Sequence, residues 1–308
     1  MSKKPKLLVA IPCYNEAVTI VKVIEDFKAV LPDAEIHVFD NNSSDGSGEL
    51  AAEAGASVHR VVQQGKGYVV RAILDKLDGD AVLMVDGDDT YFAEDAPQLL
   101  TAVLNGEVDM AVGDRLPSAD DMSMVKLHQL GNRWIVRLIN WMFGTRYKDV
   151  LSGYRVFSRR FLETVPVLTS GFEIETELTL QALAEGMSIV EIPVNYRARP
   201  DGSESKLHPW RDGYRIMLTA AIILRDRHPL RVWSVVGILL GLFSIAAAVL
   251  RLVNFFQPTG LPDSILSGLI LLLTPLSFIS FGVGFTLNAI NTRFLEFKQI
   301  LRRNNNRS

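Results

Sequence analysis

Up to Arg115, short apolar runs alternate with longer segments of helical pattern. The runs at 7–11, 36–39, 58–62, 81–85 and 110–112 read as strands, and 18–31, 46–54, 66–77 and 96–104 read as helices. This alternation predicts an α/β domain with a mostly parallel sheet covered on both faces. Ligands bind such sheets beyond the carboxyl ends of the strands. Polar clusters fall there: Pro12 to Glu16 after the first strand, Asp40 to Asp45 after the second, and Asp86 to Thr90 after the fourth. Ordinary turn chemistry explains any one cluster. Three acidic clusters at successive strand ends point instead to a shared crevice.

The pattern changes in the last third. Residues 232–250 are an uncharged apolar run, about 29 Å long as a helix, and it continues past Arg251 to Phe256. Residues 265–290 form a longer run containing Pro275, which a spanning helix tolerates. Both are expected to be transmembrane helices; a buried core hairpin is the competing reading. The loop 257–264 has no Lys or Arg. Arg225, Arg227 and Arg231 precede the first span, and Arg293, Lys298, Arg302, Arg303 and Arg307 follow the second. The positive-inside rule then puts both termini in the cytoplasm, with Arg251 snorkelling to the outer interface. Segment 123–143, with Trp134 and Trp141 among Lys126, Arg133 and Arg137, reads either as an interfacial helix or as a core helix. Segment 213–224 is a second candidate of this kind. The expected organisation is a cytoplasmic α/β domain over 1–210, an amphipathic interfacial segment over 211–231, a transmembrane hairpin over 232–292 and a basic cytoplasmic tail over 293–308.

Composition agrees with this division. Hydrophobic residues make up 48% of the 308 positions and mean hydropathy is +0.17, with the excess in the two apolar runs. A formal net charge of −3 gives no global reason to expect a nucleic-acid partner. Cys13 is the single cysteine, so no internal disulfide forms, and no Cys/His cluster resembles a zinc site. It reads as a small buried residue at a strand end rather than as a nucleophile. The run 7–11 is too short for a signal peptide, so the first domain is expected in the cytoplasm.

Asp86-Gly87-Asp88 is the central chemical motif. Two carboxylates two residues apart, at the end of an apolar strand, can address one divalent cation, and hard oxygen ligands select Mg²⁺ or Mn²⁺. Gly87 lets the backbone come close to a ligand. Asp89 reads as support for these carboxylates, and Thr90 and Tyr91 as pocket lining. Tyr14 suits packing on a base, Glu16 a base N–H, and Asp40 a ribose or base donor. Asn15 and Asp45 also read as helix caps.

The motifs I-P-C-Y-N-E (11–16), F-D-N-N-S-S-D-G-S (39–47), G-K-G (65–67), V-D-G-D-D-T-Y (85–91), G-D-R (113–115) and D-V-L-S-G-Y-R-V-F (149–157) follow in order. G-F-E-I-E-T-E-L (171–178), V-E-I-P-V-N-Y-R (190–197) and S-K-L (205–207) complete the set. In these motifs the chain resembles the family-two glycosyltransferases of GT-A fold, and among them the polyprenyl-phosphate enzymes of the dolichol-phosphate mannose synthase type. The resemblance spans residues 6–210 and is specific as a set. It implies a nucleotide-binding role for Pro12, Tyr14, Glu16, Asp40, Lys66 and Asp86, and a metal site at Asp86 and Asp88. It places Arg115 and Arg133 near an acceptor phosphate, with Arg199 and Lys206 on a segment that closes over phosphate groups. Asp149, Ser152 and Arg155 fall in a loop beside the sugar. Asp86, Asp88, Arg115, Arg133 and Asp149 form the implied catalytic set. Asp89 departs from the mannose synthase pattern, which leaves the sugar open.

The implied reaction is in-line attack by a polyprenyl phosphate on the anomeric carbon of a nucleotide diphosphate sugar, UDP- or GDP-linked, at the bilayer surface. A phosphate monoester has a second pKa of about 6 and needs no strong base. Accordingly, His128 and His208 read as surface or interface residues. Homo-oligomerisation is left open. One rival reading is a membrane glycosyltransferase that extends a saccharide. Its processive members carry Q-x-x-R-W, against which this chain has only Trp210-Arg211. A second rival, a non-catalytic nucleotide-binding scaffold, sits poorly with intact Asp86 and Asp88.

Overall fold

The structure is a computed structural model. It describes residues 4–115, 136–137, 139–141, 144–171, 173–200, 202, 209–256 and 262–305. The chain divides into two compact units, residues 1–220 and 221–308.

The first unit is built on a seven-stranded sheet: β1 (Leu7–Cys13), β2 (Glu35–Asp40), β3 (Ser57–Arg60), β4 (Ala81–Met84), β5 (Met110–Asp114), β6 (Arg155–Ser158) and β7 (Ile189–Pro193). The spatial order is β3-β2-β1-β4-β6-β5-β7. All neighbours are parallel except β6, which runs antiparallel to both β4 and β5. The predicted alternation therefore holds through β5, and a single reversed strand makes the sheet mixed.

Helices α1 (Ile20–Val30), α2 (Ser47–Glu53), α3 (Lys66–Lys76) and α4 (Ala96–Leu104) are the crossovers of the first half. Successive β1 side chains face opposite ways. Val9 and Ile11 join a cluster with Ile24, Phe27 and Leu99, whereas Leu8 and Ala10 join one with Ile73 and Phe161. On α1 the buried positions Ile20, Val23, Ile24 and Phe27 fall at the spacing of one helix face. Burying each of the larger ones contributes about 1.5–3 kcal/mol. Helix α1 starts two residues later than its apolar pattern suggests, because residues 15–19 are engaged at the strand ends.

The second half adds α5 (Arg159–Thr164) and α6 (Ile174–Ala184). Helix α6 buries Glu175, Thr176, Glu177, Thr179 and Gln181 along with its apolar residues. Of segment 123–143, the described residues have Val136 and Ile139 buried and Trp141 exposed. Segment 213–224 lies in α7 (Pro209–Arg227). There Ile216, Ala220, Ile223 and Leu224 are buried, while Tyr214, Met217, Leu218 and Ile222 stay exposed, so α7 carries two apolar faces.

The second unit contains α8 (Pro229–Phe256) and α9 (Asp263–Asn305). Both are long and apolar enough to cross a membrane, and most of each apolar stretch is unburied. They pack against each other through small residues. Ser277 Oγ donates to the Gly237 carbonyl at 2.8 Å, and the Ser244 and Thr274 hydroxyls meet at 2.8 Å. Such bonds hold apolar helices together where hydrophobic attraction between them is weak.

Candidate active site

The strand ends of β1, β2 and β4 are tied by short polar contacts. The Asn15 amide donates to Ser43 Oγ and the Glu16 amide to Ser47 Oγ, while Asn15 Oδ1 accepts from the Ser44 amide. Asn15 thus links two strand ends rather than capping α1. Asp45 accepts from the amides of Ala17 and Ser47, so it serves both loops. Thr19 Oγ1 donates to the Gly87 carbonyl at 2.6 Å, and a β-carbon on Gly87 would lie 3.3 Å from the Pro12 carbonyl. A side chain there would crowd the Pro12 carbonyl where β4 exits against β1. Pro12, Tyr14, Glu16 and Asp40 all line these loops. Asp40 is buried and accepts from the Ser43 amide, whereas Tyr14 is exposed. Cys13 is buried, and burial pushes its thiol up to about 12, which removes it as a nucleophile.

Asp86 lies at the centre of a buried charge cluster. Its Oδ1 is 2.7 Å from Lys66 Nζ, which is also 2.6 Å from Glu175 Oε1. Burial alone would lower the Lys66 pKa, but the two carboxylates override it and raise the ammonium far above its usual range. Lys66 opens α3. The turn before it is docked on the 169–170 backbone, where β-carbons on Gly65 and Gly67 would lie 2.1 and 2.2 Å from the carbonyls of Ser170 and Thr169. Glu177 holds that stretch by accepting from the amides of Leu168 and Thr169 and from the Thr169 hydroxyl. Acids in the first turn of α6 are favoured by the helix dipole.

Asp88 is buried. Its Oδ1 accepts from Thr90 Oγ1 at 2.6 Å, and its Oδ2 lies 2.6 Å from Arg199 Nη2. Burial and the neighbouring Asp86 charge raise its pKa, against the pull of Arg199, Thr90 and Lys66. Asp89 adopts a left-handed φ of 57° and pairs with Lys22 and Arg197. Arg197 also donates to the Asp89 carbonyl and lies over the Phe92 ring.

The loop 149–155 closes over this cluster. The Gly153 amide donates to Tyr91 Oη, which also meets Ser152 Oγ. Asp149 is buried; its carboxylate accepts from Arg115 Nε at 2.8 Å and from the Leu151 amide. Arg115 is itself largely buried and lies over the Tyr196 ring, so Asp149 faces Arg115 rather than an open cleft. Arg155 is fully buried and donates to the carbonyls of Ser152 and Val150 and to the Thr179 hydroxyl. Burial pulls its pKa down to about 10, offset in part by Glu175 and Asp149. Arg133 and Lys206 lie outside the described residues, as do His128 and His208.

Residues 8–165 match glycosyl transferase family 2. The glycosyltransferase AglJ of Haloferax volcanii is 40% identical over 229 residues, 73% of this chain and 74% of the relative. The chain belongs to glycosyl transferase family 2. Another family relative from the same organism, a dolichyl-phosphate hexose transferase, is 30% identical over 68% of this chain and 90% of its own length. The fold recurs in a crystal structure of glucosyl-3-phosphoglycerate synthase from Mycobacterium tuberculosis, in complex with Mn²⁺, UDP-glucose and phosphoglyceric acid. That structure matches with a TM-score of 0.60 at 22% identity, over 72% of this chain and 79% of that one. The protein is thus a glycosyltransferase with the GT-A architecture.

Glu175 joins the crevice without having been singled out from sequence. Its signal was the run Glu173-Ile174-Glu175-Thr176-Glu177, in which three acids alternate at the start of a helix. Lys22 and Arg197 were likewise missed, because both act on Asp89 from distant segments.

Proposed function

We propose that this glycosyltransferase moves a sugar from a nucleotide diphosphate sugar to a polyprenyl phosphate at the cytoplasmic membrane face. The observation that carries the reading is the pairing at the β4 exit: two neighbouring carboxylates, half-buried Asp86 and buried Asp88, each already neutralised by a basic side chain within 2.7 Å. Such a crevice suits a ligand that brings both a cation and phosphate groups. The dolichyl-phosphate hexose transferase relative and the two apolar helices support a lipid-borne acceptor.

The nucleoside end of the donor lies against Pro12, Tyr14, Glu16 and Asp40, with Lys66 facing the diphosphate. Asp86 and Asp88 are hard oxygen donors set side by side, which fits Mg²⁺ or Mn²⁺. Asp86 and Asp88 would hold the cation together with the donor's own diphosphate oxygens. When bound, the cation stabilises the charge that develops on the departing diphosphate. Arg115 and Arg199, with Arg133 and Lys206, hold the acceptor phosphate, and guanidinium groups suit that bidentate contact. Asp149 acts through Arg115, fixing its direction. Anchoring by α8 and α9 holds the enzyme at the bilayer and raises the effective concentration of a lipid-borne acceptor, and the exposed apolar face of α7 suits the headgroup layer. This assigns 1–210 to catalysis, 211–231 to the interface, 232–292 to the membrane and 293–308 to the cytoplasm.

The test is a screen of UDP- and GDP-sugars against undecaprenyl phosphate and dolichyl phosphate with Mg²⁺ or Mn²⁺, read by the mass of the lipid product. A one-sugar increment on the lipid is expected. Sugar recovered only on an aqueous glycan or on a pre-glycosylated lipid overturns the acceptor assignment.

A further inference from the structure

Among the described residues the crevice pairs Asp86 with Lys66, Asp88 with Arg199, Asp89 with Arg197 and Asp149 with Arg115, while Lys66 also meets Glu175 and Asp89 also meets Lys22. Their bases differ in exposure. Lys66 and Arg115 have side chains only 13% and 16% exposed. Arg197 is fastened at its guanidinium to Asp89 and Phe92, and at its backbone amide to the Thr90 carbonyl. Arg199 stands two residues beyond that fastening; both arginines are 30% exposed, and the Nη2 of Arg199 reaches Oδ2 of Asp88. The other oxygen, Oδ1, already accepts from Thr90. Arg199 therefore covers the Asp88 oxygen that Thr90 leaves open to an added cation.

We propose that Arg199 is a resident counter-cation of Asp88, displaced when the donor's cation arrives and thereby released to the acceptor phosphate. The inference rests on the functional reading above and adds to it a coupling between the two substrates. A guanidinium and a divalent ion on the same oxygen repel each other, so each weakens the other's hold on it. Filling the donor side frees Arg199 while its neighbour Arg197 keeps the segment tethered beside the crevice. By reciprocity, an acceptor phosphate that draws Arg199 away tightens the hold of Asp88 on the cation by the same factor. A buried Asp88 with no partner in the empty enzyme is avoided in the same way.

The experiment is Mn²⁺ binding to the full-length protein in detergent, with and without UDP, followed by the paramagnetic resonance of free Mn²⁺. Arg199→Ala is expected to bind Mn²⁺ about fivefold or more tightly than the parent without UDP, and Arg199→Lys to stay near the parent. The same Arg199→Ala variant is expected to raise the KM for polyprenyl phosphate. UDP binding measured on each variant confirms that the crevice is folded. Unchanged or weaker Mn²⁺ binding by Arg199→Ala overturns the inference while leaving the functional reading standing. Asp88→Asn supplies the other arm: it is expected to weaken Mn²⁺ binding and to cancel the gain from Arg199→Ala. Full Mn²⁺ affinity in Asp88→Asn removes the cation site itself, and the role of Arg199 with it.

Discussion

Gly153 and Asp86 meet with no room for a side chain between them: a β-carbon at position 153 would lie 2.4 Å from Oδ2 of the Asp86 carboxylate. The loop that carries Asp149 and Ser152 thus leans directly on the acid at the centre of the crevice. Gly153 Ala substitution moves one of the two. Because the Gly153 amide is held by Tyr91 Oη, the carboxylate is the more mobile partner.

For Gly153→Ala we therefore expect sugar transfer to fall by about 100-fold, the usual scale for misplacing a reacting group by an ångström. Overpacking adds a stability cost of about 1–3 kcal/mol. Transfer rates and thermal unfolding of the purified variant check both. Activity within twofold of the parent would show that Asp86 tolerates displacement and weaken its assignment.

Lys66 is shared by Asp86 and Glu175, and removing it strands a half-buried and a buried carboxylate. Lys66→Met should cost about 3–5 kcal/mol, as for breaking other buried pairs. The double variant Lys66→Met/Glu175→Gln leaves one acid fewer and should recover part of that loss. Unfolding temperatures of the two variants and the parent decide it; equal losses would mean that Glu175 does not feel Lys66.

The first five strands and four helices were legible because their residues follow simple periods, such as the one-faced α1 and the fully buried Ala81–Met84 strand. The later elements were not. Helix α6 buries Glu175, Thr176, Glu177 and Thr179 as thoroughly as Leu178, so hydropathy shows no helical period there. Strand β6 opens with Arg155, a buried cation caged by carbonyls, and a charged residue does not announce a strand interior. The reversal of β6 is equally hidden, since a short apolar strand reads the same in either direction. In the crevice, Asp86 and Asp88 were visible as a local motif after an apolar run. The contacts that give them their state were not, because Glu175 and Arg199 come from segments about a hundred residues away. Motif resemblance brought those segments into view without saying which side chains touch.

The pair His37 and His59 gives the fold a pH dependence away from the crevice. The rings stack, with His37 Nδ1 3.0 Å from His59 Nε2, so at most one proton fits between them. Burial lowers both pKa values below 6.5; Glu35 partly opposes this at His37, and the charges of His37 and Lys76 reinforce it at His59. Below that value the unfolded chain takes up protons that the folded chain refuses, so stability falls as pH drops. Thermal unfolding at about pH 7.5 and about pH 5.5 should show the lower midpoint in acid. Replacing both residues by Gln should flatten that slope, and an unaltered slope would place its origin elsewhere.

The orientation of the hairpin can be tested independently of catalysis. Cys13 is the single cysteine and is buried, so a Cys13→Ala background carries no thiol of its own. Asp263 is exposed at the start of α9, at the connection between the two apolar helices. Lys and Arg are absent from 257–264 and frequent on both outer flanks, and such asymmetry sets which side stays in the cytoplasm. A cysteine introduced at Asp263 should therefore react with a membrane-impermeant maleimide on intact cells. One introduced at Ser308 should react only after permeabilisation. The reverse pattern would put the crevice on the side without cytoplasmic nucleotide sugars, and the proposed donor chemistry would then have no substrate supply.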